Sequence, residues 1–136
     1  MTPTLLDGDK VWVNKLAYDV KIPFTEVSLA QLADPKRGDI VIIDSAVANK
    51  RLVKRIIGLP GDTVRYENKS LFINGEPIEK AFVENITVNT SIGDLAGTLS
   101  SENLGSVIHP TQHIDAAGGR RLRTTWVVPN GHYFMM

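Results

Sequence analysis

The sequence predicts a mostly β fold, and three observations carry that expectation. Apolar residues fall in short runs such as Ile40 to Ile43 and Leu52 to Ile57, and no long stretch keeps the 3.6-residue period of an amphipathic helix. Asn74-Gly75 lies between two apolar flanks, the dipeptide that most strongly marks a two-residue hairpin. Turn residues punctuate the rest, as in Asp34 to Asp39, Gly58 to Asp62 and Pro129-Asn130-Gly131.

Taken in order, Leu5 to Lys15 reads as a turn at Asp7-Gly8-Asp9 followed by a strand. Val11 and Val13 share one face of that strand, Lys10 and Trp12 the other. Trp12 then either covers a second core layer or projects toward a membrane interface, where indole is favoured. Pro23 and Pro35 bracket Thr25 to Leu32, a short helix or a loop. The turn Asp34 to Asp39 feeds the strand Ile40 to Ile43, and Asp44 to Lys50 is a polar connector into a second strand. Leu71 to Ile78 is a hairpin with a type I′ turn at Asn74-Gly75. Thr87 to Ser106, rich in Thr, Ser, Gly and Asn, reads as short strands and loops. Gly118-Gly119 is a turn before Arg120, Arg121 and Arg123, and Thr124 to Val128 is a strand closed by Pro129-Asn130-Gly131.

Composition bounds the function. A chain of 136 residues is long enough to bury a core, and 43% hydrophobic with 22% charged residues is ordinary for a globular protein. Fifteen basic and fifteen acidic residues cancel, which leaves no electrostatic case for nucleic acid. The absence of cysteine excludes disulfides and thiolate metal sites. No apolar run has the length of a membrane-spanning helix, so by itself the chain reads as soluble.

Lys54 is the most informative residue. It stands in Arg51-Leu52-Val53-Lys54-Arg55-Ile56-Ile57-Gly58-Leu59-Pro60-Gly61-Asp62. Strand alternation puts Leu52, Lys54 and Ile56 on one face and Val53, Arg55 and Ile57 on the other. A lysine flanked by aliphatic neighbours on a covered face is desolvated, which lowers its pKa from about 10.4. A neutral amine near neutral pH is a general base. The competing expectation is that Lys54 snorkels to solvent beside Arg55.

Four segments follow one another in order: Met1-Thr2-Pro3-Thr4-Leu5, Gly8 to Lys15, Arg37-Gly38-Asp39-Ile40-Val41-Ile42, and Lys54 to Asp62. Together they resemble bacterial type I signal peptidases, membrane-anchored Ser–Lys proteases that remove signal peptides from exported proteins. Val127 to Met136 is similar to the strand leading into that family's last conserved box. The resemblance is close over residues 1 to 65 and from 126 to the end, and weak between. It implies an antiparallel β catalytic core, residues 1–65 closed by 126–136, with an inserted β-rich lobe at 66–125.

The resemblance also implies the chemistry. Lys54 is the general base that takes the proton of a serine, and no cofactor or metal is involved. In the family that serine immediately precedes the methionine of Met-x-Pro-Thr, here Met1. None of the serines present stands before such a motif, and the last box would begin after Met136. The expectation is therefore a fragment that carries the base but no nucleophile and is inactive alone. Shallow pockets for small residues at the −1 and −3 positions of the substrate would draw on Met1, Leu5, Val11, Ile42, Leu52 and Val53. Partners would be the signal peptides of exported preproteins and, in the full-length protein, the lipid surface. The place would be the bacterial inner membrane, with the catalytic domain on its outer face. Two alternatives stay open: a self-cleaving repressor-like Ser–Lys domain, and a non-enzymatic β-rich binding module.

Other candidates are weaker. His109 and His113 lack a Glu in the His-Glu-x-x-His pattern and have Pro110 between them, so they read as loop histidines. Asn68, Asn85 and Asn89 match a three-residue glycosylation pattern that occurs often by chance. Arg120, Arg121 and Arg123 read as a solvated face. Asp7, Asp9, Asp39 and Asp62 each adjoin a glycine and read as turn carboxylates that accept backbone N–H bonds.

Overall fold

A computed structural model of the chain describes residues 1–6, 8–21, 28–45, 48–90, 93–114 and 123–136. Among them no helix occurs and the fold is built from antiparallel strands, as the short apolar runs predict. The first pair is β1 (Asp19–Lys21) with β2 (Ser28–Gln31). The apolar run after the Arg37-Gly38-Asp39 turn is β3 (Ile40–Ser45), and the run bearing Lys54 is β4 (Lys50–Gly58). They pair in register, Val41 opposite Lys54 and Ile42 opposite Val53.

Two tight hairpins follow. β5 (Thr63–Glu67) turns at Asn68-Lys69 into β6 (Ser70–Ile73), which turns at Asn74-Gly75 into β7 (Glu76–Pro77). Asn74 and Gly75 have φ of 54° and 89°, the left-handed pair that a type I′ turn requires. Asn68 and Lys69, at 51° and 63°, adopt the same handedness without a glycine.

Three long strands come next: β8 (Glu79–Thr90), β9 (Gly93–Asn103) and β10 (Ile108–Ile114). They form one sheet in the order β10-β9-β8. β11 (Arg123–Val127) joins β5, and β12 (Phe134–Met135) joins β4 on the edge opposite β3. The buried centre is Ile57, Val64, Leu71, Ile73, Leu104 and Val128, with Tyr66, Ile78 and Phe134 packed against it. This cluster takes residues from each of the three segments 1–65, 66–125 and 126–136.

Several local expectations are corrected. Residues 10–14 form no strand ladder: Val11 and Val13 are exposed and Trp12 is 100% exposed, so it covers no core layer. Alternation alone does not make a strand where no neighbour supplies hydrogen bonds. Of Thr25 to Leu32, the described part includes strand β2, because pairing with β1 overrides local propensity. The short strands expected in Thr87 to Ser106 are parts of two long ones, and His109 and His113 lie on strand β10 rather than in a loop. Asp7, Gly118-Gly119, Arg120 and Arg121 lie outside the described residues. Among the described residues, no helix is long and apolar enough to cross a membrane.

Candidate active site

β4 changes environment along its length. Its first residues are exposed, Leu52, Val53 and Lys54 are half-buried, and Arg55 to Gly58 are buried. The cause is its second edge. β3 covers one edge from Lys50 to Arg55, but β12 reaches the other only from Arg55 onward, where the N–H and C=O of Arg55 exchange bonds with Met136 at 2.9 and 3.0 Å. Val53 and Lys54 stand just past the end of that pairing.

Arg55 is the most tightly held residue here, 7% exposed. Its Nη1 donates to Gly38 O at 2.7 Å and its Nη2 to Thr4 Oγ1 at 3.5 Å. One guanidinium thus ties the segment bearing Met1 and the Arg37-Gly38-Asp39 turn to the strand bearing Lys54. The turn is stitched further by Gly38 N–H to Ile56 O and Ile56 N–H to Asp39 O. Burial lowers the pKa of Arg55 from its ordinary value.

Against this strand lies a cavity of about 330 Å³. Its lining takes in Met1, Thr2 and Thr4 with Val53, Lys54, Arg55, Ile57 and Met136, Tyr66 and Leu71, and Glu102 on β9 with His109 to His113 on β10. The fold therefore brings Lys54 together with Met1 and Val53, two of the six residues expected to contact substrate. Leu5, Val11, Ile42 and Leu52 do not line this cavity: Leu5, Ile42 and Leu52 are half-buried elsewhere, and Val11 is exposed. Sequence reasoning missed that Glu102, His109 and His113 line the same cavity as Lys54. The register of β9 and β10 delivers them, and no sequence spacing encodes it.

The turn after β4 is fixed from several directions. Asp62 Oδ2 accepts from Arg37 Nη2 at 2.9 Å and from the Leu59 N–H at 2.6 Å, and its Oδ1 accepts from Asn74 Nδ2 at 2.8 Å. Arg37 Nη1 also donates to Ile57 O at 2.6 Å. Asp62 is thus a turn carboxylate, and it also joins β4, the Arg37 turn and the β6–β7 hairpin. Asp39 plays a similar part, accepting from the Lys36 N–H and the Tyr18 hydroxyl. No group of three or more metal-ligating side chains occurs among the described residues.

The all-antiparallel architecture is consistent with the family to which the whole chain is matched. Residues 1–136 fit the family described as signal peptidase, peptidase S26, and the chain belongs to that family. This sets aside the self-cleaving repressor family that the sequence left open. The chain is 36% identical over 143 residues to signal peptidase I of Pseudomonas aeruginosa and 38% identical over 138 residues to that of Pseudomonas fluorescens. Both alignments cover 100% of this chain and 47% of the relative. Signal peptidase I of Bacillus licheniformis is 33% identical over 124 residues, 91% of this chain and 59% of the relative. The chain thus spans about half the length of the Pseudomonas relatives.

Proposed function

We propose that this chain is the base-bearing part of a membrane-anchored serine endopeptidase that removes signal peptides from exported preproteins. The observation that carries the proposal is the shared cavity of Lys54 and Met1. A serine placed immediately before Met1, where the resemblance puts it, would enter that cavity beside the amine. The Lys54 amine would take the serine's proton as the oxygen attacks the scissile carbonyl, and would then activate the deacylating water. Groups at and just before that serine would hold the oxyanion. Val53 and Met1 line the cavity and are proposed to bound the site for small substrate side chains. Leu5, Val11, Ile42 and Leu52, which do not line the cavity, are proposed to contact the substrate beyond it. The exposed apolar run Leu6, Val11, Trp12, Val13 and Leu16 supports contact with the lipid surface, with catalysis on the outer face of the bacterial inner membrane. Nucleic acid has no role in this reading, and neither does a metal or cofactor.

The test is cleavage of an Ala-x-Ala signal peptide by three proteins. The full-length protein should cleave. Its Lys54→Arg variant should be inactive, because a guanidinium stays charged and cannot act as base. The 136-residue chain tested alone should be silent, because none of its serines stands before a Met-x-Pro-Thr segment, and oxyanion donors are typically worth about 10²–10³ in rate. Substantial cleavage by the Lys54→Arg variant would remove Lys54 from the mechanism, and cleavage by the 136-residue chain would mean that one of its own serines is the nucleophile.

A further inference from the structure

The outer strands of the sheet β10-β9-β8 are β8 and β10, and most of their length is blunted. Strand β10 carries Pro110, which cannot donate a backbone bond. The first half of β8 carries Lys80 and Glu84, with a bulge between Phe82 and Glu84. Charge and bulges are devices that keep an edge from pairing with another chain. The second half of β8 lacks them. Asn85 to Asn89 contains no charged residue, proline or glycine. It pairs with β9 without interruption, from Asn85 opposite Thr98 to Asn89 opposite Asp94. Among the described residues no strand lies on its outer side.

This stretch is Asn85-Ile86-Thr87-Val88-Asn89, the same in both directions once Ile and Val are taken as one β-branched type. Alternation puts Ile86 and Val88 on one face, half-buried, and Asn85, Thr87 and Asn89 on the other, exposed. Ile86 stands opposite Gly97 and Val88 opposite Leu95, while Ile114 stands opposite Gly97 from the other side. Directly opposed residues of an antiparallel sheet share a face, so an aliphatic face spans all three strands. Ile86 leans across it: a Cβ on Gly97 would sit 3.5 Å from Ile86 Cγ1.

We propose that Asn85 to Asn89 pairs with the same segment of a second copy of this chain, antiparallel about a two-fold axis at Thr87. That register sets Thr87 opposite Thr87, Ile86 opposite Val88 and Asn85 opposite Asn89. Each is a favourable cross-strand match, and no like charges meet. The two three-stranded sheets become one of six, in the order β10-β9-β8-β8-β9-β10, with the aliphatic faces joined on one side. The two-fold axis closes the contact as a dimer and leaves no open filament. A foreign extended peptide would meet the same backbone edge, but a second copy brings the matching side-chain order by symmetry. One strand pair of this length buries less than the ~1,000 Å² of a stable interface, so the dimer is weak and has to be trapped. The proposal does not depend on the role of Lys54.

The experiment uses the full-length protein in its host cells, with any cysteine outside these 136 residues replaced by serine; the 136 residues contain none. Thr87→Cys places two thiols on the axis with Cα atoms about 4.5–5.5 Å apart, within disulfide range. Mild oxidation should therefore give a covalent dimer. Asn85→Cys alone should not, because the register offsets its two copies by about 13 Å along the strands. Co-expressed with an Asn89→Cys copy, it should. That mixed cross-link also reads a charge swap. With Thr87→Lys added to both copies its yield should fall about fivefold, since like charges then face each other. With Thr87→Lys in one copy and Thr87→Glu in the other it should recover. An oxidised Thr87→Cys protein that stays monomeric overturns the proposal, and so does a yield from Asn85→Cys alone equal to that from Thr87→Cys. A disulfide to another polypeptide in place of the dimer overturns the choice of a second copy. A Lys–Glu mixture that cross-links no better than Lys–Lys overturns the two-fold pairing.

Discussion

Asp62→Asn should destabilise the chain by about 2–4 kcal/mol, and the size follows from its three donors. Arg37 Nη2, the Leu59 N–H and Asn74 Nδ2 all point at the carboxylate, which is 8% exposed. An asparagine offers one oxygen in place of two, so its amide N–H must face at least one of those donors. Bonds to a charged group are worth about 1.5–3 kcal/mol each, and a buried partner left unmet adds to the cost. The effect carries a pH signature. Burial raises the Asp62 carboxyl, but the bonds from Asn74 and Leu59 and the charge and bond of Arg37 outweigh it and hold it below its ordinary 3.8. A lowered folded pKa contributes stability that is present above the unfolded value and is lost as pH falls through the folded one. The gap between wild type and Asp62→Asn should therefore be constant near neutrality and narrow below about pH 4. Urea unfolding at both pH values measures it, with a neutral-pH midpoint shift of about 1–2 M. A gap that is small at neutral pH, or that persists undiminished in acid, would refute the assignment of Asp62 as an ionised hub.

Two further outcomes are expected. The Tyr18 hydroxyl donates to Asp39 Oδ2 at 2.8 Å, and burial, followed by that bond and charge, lifts its pKa from 10.0 to about 12. Its contribution is present below the unfolded value and lost as pH rises toward 12, so Tyr18→Phe should lack the wild type's stability loss over that alkaline span in a denaturation series. Gly58→Ala should cost about 1–3 kcal/mol by overpacking, because a Cβ there would sit 2.6 Å from Val64 Cγ2 and 3.0 Å from Val128 Cγ2. A thermal midpoint equal to wild type would mean that Val64 on β5 and Val128 yield freely.

Much of the core was legible because its signals are local. Asn74-Gly75 demands left-handed backbone at two successive residues, and an apolar run between turn residues has few uses other than a buried strand. The long ribbon of β8 and β9 was not legible, for a physical reason: β8 is exposed from Glu79 to Glu84 and only alternately half-buried beyond. A strand with so little buried face needs no apolar alternation, so period-two reasoning finds nothing to count. Residues 10–14 show the reverse case, alternation without a pairing partner. At the site, Lys54 is visible through its motif. Arg55 carried no expectation of its own and is the buried clamp, because its long side chain finds Gly38 O and Thr4 Oγ1, acceptors 17 and 51 residues away in sequence.

The ribbon's position gives it a consequence beyond its own stability. Leu104, at the end of β9, is buried in the same cluster as Ile57 of β4 and Val64 of β5, while Val107 lies against Gly38, where a Cβ would sit 2.8 Å from its Cγ2. Ser106 Oγ, at the same corner, donates to Arg37 O at 3.2 Å. The β9–β10 corner is therefore anchored on the Arg37-Gly38-Asp39 turn, and that turn is bonded to Ile56 and Arg55 beside the lysine. With the corner fixed there, the register of β10 sets which of its residues face the cavity, and a two-residue slip would exchange His109 for Thr111 opposite Glu102. A segment with a weak strand pattern is thus held in register by contacts to one whose turn and strand signals are plain. Its weak pattern follows from exposure along most of its length, while the few residues that reach the cavity are placed by that anchored corner.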